Sequence, residues 1–67
     1  MPRKNLSKRE TEVIALVAKG YSNREIATCL SLAQKTIENY LRLILMKLRV
    51  KNRRQAAEIY LSNNEKH

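Results

Sequence analysis

Hydrophobic positions along the chain recur chiefly at three and four residues, without the strict alternation of a strand. Val13, Leu16 and Val17, with Ile14 beside them, make a first apolar stripe, and Ile26, Ala27 and Leu30 a second. Ile37, Leu41, Ile44, Leu45 and Leu48 make a third that runs for more than three turns. Spacing of this kind places one apolar face on each of several helices and supports no strand. The punctuation between stripes agrees. Ser7-Lys8-Arg9-Glu10 and Ser22-Asn23-Arg24-Glu25 both read as reciprocal capping boxes, and Gly20 supplies the left-handed residue that closes the first helix. Leu6 stands before the first box as a staple. Asn52 with Gln55 gives a further N-cap. The pattern predicts an all-α fold with helices over residues 8–19, 23–30, 34–48 and 53–62, a leader over 1–5 and a polar tail over 63–67 that frays.

At 67 residues the chain has room for one thin core, so function must lie on its surface. Its charge gives that surface a sign. Fourteen Lys and Arg oppose six acids, for a net charge of +8. Lys35, Arg42, Lys47, Arg49, Lys51, Arg53 and Arg54 fall in one stretch that holds the single acid Glu38. A polyanion is the partner such a field favours. Cys29 and His67, each the sole residue of its type, offer neither a disulfide nor a ligand set, so no metal, cofactor, small-molecule ligand or enzymatic activity is expected. Cys29 reads as a core or boundary residue. No apolar run suits a membrane span or a signal peptide, and a cytoplasmic, nucleoid-associated protein is expected.

The segment Glu25 to Leu41 carries the functional signal. Ala27 permits close approach of two helices, Leu30 and Leu32 flank a tight turn, and Ile37 anchors the next helix, as a helix-turn-helix requires. An ordinary helical hairpin shows the same spacing. Opposite the third apolar stripe lie Lys35, Glu38, Asn39 and Arg42. Arg42 suits guanine O6 and N7, Asn39 suits adenine, and Glu38 suits cytosine N4. Glu38 is equally placed for an i,i+4 ion pair with Arg42.

The order Leu6-Ser7-Lys8-Arg9-Glu10-Thr11-Glu12-Val13, Gly20-Tyr21-Ser22-Asn23-Arg24-Glu25-Ile26-Ala27, Lys35-Thr36-Ile37, Lys47-Leu48 and Val50-Lys51-Asn52-Arg53 closely resembles the LuxR/NarL/GerE family of helix-turn-helix domains, over residues 6–61. The resemblance implies a four-helix domain whose third helix reads the major groove of double-stranded DNA and whose fourth helix forms a homodimer. It carries Glu38, Asn39 and Arg42 onto the family's base-reading positions. Ser22, Asn23, Arg24, Lys35 and Thr36 are expected to position phosphates through helix N-termini and side chains, joined by Lys47, Lys51 and Arg53.

Three residues depart from the family's pattern. Ala33 stands where a Ser often caps the recognition helix, with Ser31 or a phosphate as substitute. Arg49 replaces a usual Gly and is expected to take a left-handed conformation while its charge holds phosphate. Tyr40 occupies a frequent His position, its hydroxyl able to donate to phosphate.

On the fourth helix, Ala56, Ile59 and Tyr60 form one apolar stripe and Ala57 and Leu61 another, of which a thin core buries only one. The first is expected at the dimer interface. The reading overall is a bacterial transcription regulator. The alternative is a protein-interaction module pairing with another regulator or with RNA polymerase.

Overall fold

The computed structural model describes residues 6–65, so the leader at 1–5 lies outside the described residues. Four helices follow in order: α1 (Lys8–Ala18), α2 (Asn23–Leu30), α3 (Gln34–Leu48) and α4 (Arg53–Glu65). Both capping boxes form as the sequence predicts. Ser7 Oγ accepts from the Glu10 N–H at 3.1 Å while the Glu10 carboxylate accepts from the Ser7 N–H at 2.9 Å. Ser22 and Glu25 repeat the exchange at 3.1 and 2.8 Å. Asn52 Oδ1 accepts from the Gln55 N–H at 2.9 Å at the start of α4.

The first three helices close through a left-handed residue: Gly20 at φ 92°, Ser31 at φ 58° and Arg49 at φ 58°. A Cβ on Gly20 would meet nothing within 4 Å, so only the backbone angle asks for glycine there. Ser31 was expected as a stand-in cap for α3. It instead terminates α2, with the Leu32 N–H reaching back to the Ala27 carbonyl at 2.9 Å. Ala33 is therefore the N-cap of α3, without a side-chain cap bond.

Val13, Ile14, Val17, Ile26, Ala27, Ile37, Leu41, Ile44 and Ala56 make one core to which every helix contributes. Burying each of the large aliphatic side chains stabilises the fold by about 1.5–3 kcal/mol. α1 packs chiefly on α4 and on α3, and α2 packs on α3. The α2–α3 pair is the helix-turn-helix: Ala27 is buried at the close approach, and Leu30 and Leu32 pack against the core on either side of the turn.

Three expectations are corrected. α4 continues to Glu65, past the expected end at 62, because the polar residues 63–65 include no Gly or Pro and polarity alone does not stop a helix. Cys29 is exposed, since the inward face of α2 is filled by Ile26, Ala27 and Leu30. Ala56 is 0% exposed and Tyr60 packs against the core, so the stripe expected at a dimer interface is the one that α4 turns inward. Ile59 of that stripe is half-buried and stands outside the core cluster.

Candidate nucleic-acid interface

α3 presents its polar side to solvent because Ile37, Leu41 and Ile44 hold the opposite side in the core. Successive helical residues turn by about 100°, which brings Lys35, Asn39 and Arg42 onto one outward strip with Glu38 at its edge. All four are exposed. The ion pairs among the described residues are Arg9–Glu12 at 3.2 Å and Lys47–Glu10 at 2.8 Å. The Glu38–Arg42 pair that the spacing allowed is not formed. The carboxylate, amide and guanidinium of Glu38, Asn39 and Arg42 therefore stand side by side with their donors and acceptors open.

At the N-terminus of α3 the missing cap leaves the first backbone N–H groups without a side-chain partner, next to exposed Lys35 and half-buried Thr36. The helix dipole and the Lys35 ammonium give this end a positive potential. Arg24 is exposed at the N-terminus of α2, and so is Ser22, whose hydroxyl oxygen accepts from the Glu25 N–H and keeps its own O–H as a donor. Tyr40 is half-buried and packs against the core. Arg49 and Lys51 are exposed on the connection from α3 to α4.

Two long-range ties engage residues expected at phosphates. Arg53 donates to Asn23 Oδ1 at 2.7 Å and to the Tyr21 carbonyl at 3.0 Å, which fastens the start of α4 to the turn before α2. Lys47 donates to the Glu10 carboxylate at 2.8 Å, which fastens the end of α3 to the start of α1. Glu10 is 3% exposed, so it is a buried acid with a cation on it. Burial pushes its carboxyl up, but the Lys47 hydrogen bond, the Ser7 backbone and hydroxyl bonds and the Lys47 charge together outweigh burial and hold it below the ordinary carboxylate range. Sequence reasoning found Glu10 as a capping residue and missed its second role. The partners lie 37 residues apart, and no local pattern links them. The same holds for Arg53 and Asn23, which lie 30 apart.

Residues 4–60 match the family described as bacterial regulatory proteins, luxR family. Over 59 residues the chain is 42% identical to the response regulator protein VraR of Staphylococcus aureus, covering 88% of this chain and 28% of that protein. It thus spans well under a third of that relative's length. Among solved structures, the transcription factor GerE superposes with a TM-score of 0.83 at 33% identity, covering 94% of each chain. The response regulator ChrA of a heme-sensing two-component system superposes with a TM-score of 0.84 at 34% identity, covering 96% of this chain and 32% of that one.

Proposed function

The chain belongs to the luxR family of bacterial regulatory proteins, a family of DNA-binding transcription regulator domains and not of enzymes, and we propose that it reads double-stranded DNA by sequence through α3 in the major groove. The observation that carries this reading is the open Glu38, Asn39 and Arg42 strip on the face of α3 opposite the core. Its side chains match cytosine, adenine and guanine edges, and an α-helix fits the width of the groove. Phosphates sit at the uncapped N-terminus of α3 with Lys35 and Thr36, and beside Arg24, Arg49 and Lys51, which fix register without reading sequence. Arg53 and Asn23 hold the two ends of the interface together, and each keeps further N–H donors for phosphate. Lys47 serves the fold first and phosphate second. The domain needs no cofactor and catalyses nothing. It works as a homodimer on the bacterial nucleoid, in the cytoplasm.

The test is selection of sequences from a random duplex library, followed by titration at two salt concentrations against random competitor DNA. Enrichment of a defined half-site, with log affinity falling by about 3–5 per decade of salt for each bound copy, is the expected result. A chain that enriches no sequence and binds only at low salt overturns the reading and favours a protein-interaction module, whose partner is another regulator or RNA polymerase.

A further inference from the structure

Among the described residues, three large hydrophobic side chains are markedly exposed: Leu43 at 43%, Met46 at 66% and Leu61 at 45%. Two of them lie on α3, outside the functions assigned so far. Met46 points almost directly away from the core, on the same line as Asn39, and Leu43 flanks that line. At 1.5 Å per residue, Leu43 lies about 6 Å along the axis beyond Asn39, and Met46 about 6 Å beyond Arg42. That is close to two base-pair steps of a duplex. The apolar pair is thus a continuation of the polar strip and belongs to the same face.

What covers this pair must also accept its surroundings. Arg42, Lys47 and Arg49 stand exposed beside it, with Glu38 the one acid of α3. An apolar protein surface would have to take that cationic rim out of water, at a cost that exposed arginines and lysines make high. A duplex offers the complementary arrangement: anions along both edges of the major groove, and on its floor one apolar group, the 5-methyl of thymine. Resting on the proposed docking of α3, we infer that Leu43 and Met46 are specificity residues that pack on thymine methyl groups within about two base-pair steps of those read by Asn39 and Arg42. They make the site prefer thymine at one or two positions where no hydrogen bond is made.

Deoxyuridine keeps every hydrogen-bonding group of thymine and lacks only the methyl, so it isolates this contact. The wild-type chain selects its site from a random duplex library. Each thymine of that site is then replaced singly by deoxyuridine, and binding is measured by fluorescence anisotropy for the wild type, Leu43→Ala and Met46→Ala. Both variants change exposed helical positions to a good helix former, and circular dichroism verifies their folding. At one or two thymines the wild type should lose about three- to fivefold in affinity, the effect of one buried methyl. At those thymines one of the two alanine variants should lose nothing further, with its salt dependence unchanged because no charge is removed. An enriched site whose thymines all tolerate deoxyuridine, or whose losses persist in both variants, overturns the inference and leaves the α3 docking standing. A library from which nothing is enriched overturns the docking and the inference together.

Discussion

Arg42 and Lys47 are both exposed cations on α3, and the structure gives them different work. Arg42 makes no ion pair among the described residues and lies on the outward strip of α3. Its replacement by alanine should weaken binding to the selected site by about 1–3 kcal/mol and relax preference at one base pair, as a lost bidentate guanine contact does. Competition among single-base variants of the site checks this: a uniform loss with unchanged preference assigns Arg42 to phosphate. Lys47 neutralises buried Glu10, so Lys47→Ala should destabilise the fold by about 1–2 kcal/mol, lowering Tm by roughly 5–10 °C. Lys51→Ala, at an exposed ammonium with no ion pair among the described residues, should leave Tm unchanged and reduce the salt slope by about one. The same buried pair sets a pH dependence. The folded Glu10 carboxyl lies below its unfolded value, so the unfolded chain takes up the proton first as pH falls. The contribution of Glu10 is full above the ordinary glutamate value of about 4.3 and is lost as pH drops through the folded value. Acid unfolding followed by circular dichroism should show this loss in the wild type and a shallower one in Glu10→Gln.

At the scale of the helix, local chemistry was legible where a signal and its partner lie within one turn. Ser7, Ser22 and Asn52 announce helix starts because each bonds a backbone N–H three residues on, and Gly20 announces a stop because few other residues adopt its angle. Arg49 was legible as a left-handed residue only through the resemblance, since nothing in arginine's chemistry favours φ 58°. Ser31 was misread because a serine before a helix suggests a cap, whereas the same residue in the left-handed region ends α2. The start of α3 gives an element-scale prediction. Ala33 lies at φ −78°, ψ 151°, close to the φ −79°, ψ 166° of Ser22 and the φ −70°, ψ 169° of Ser7. The backbone is already in the capping conformation and lacks only an acceptor. Ala33→Ser should therefore stabilise the protein by about 1 kcal/mol, raising Tm by roughly 4–8 °C. An unchanged urea midpoint would mean that solvent already satisfies those N–H groups equally well.

At the scale of the whole molecule, the sequence showed that α4 carries two apolar stripes and one core, but not which stripe the core takes. That choice depends on how α1 and α3 pack on α4, which is a long-range matter. Ala56 went inward, with Tyr60 and Ala57 both against the core, and this leaves Leu61 alone as the exposed large hydrophobic of α4, one turn beyond Ala57. The homodimer proposed above then uses the second stripe, with exposed Arg54 and Glu58 on the same outward side of the helix. Opposite charges one turn apart suit a twofold contact, because each faces its complement when the helix meets a copy of itself. The dimensions are compatible: the molecule is 31 Å in its longest direction, and half-sites one helical turn apart are separated by about 34 Å. Sedimentation on a duplex with two half-sites should find two chains bound cooperatively. Leu61→Glu should abolish the cooperativity, a loss of roughly tenfold or more in second-site affinity from one leucine left unburied and one charge brought in. Its affinity for a duplex with a single half-site should stay at the wild-type value, since Leu61 lies on α4 and none of the residues proposed to contact DNA is substituted. One chain per two-site duplex at saturation refutes the dimer. Two chains with cooperativity intact in Leu61→Glu move the contact to the Ile59 side of α4, where Ile59, Gln55, Glu58 and Ser62 line an open groove against Val50.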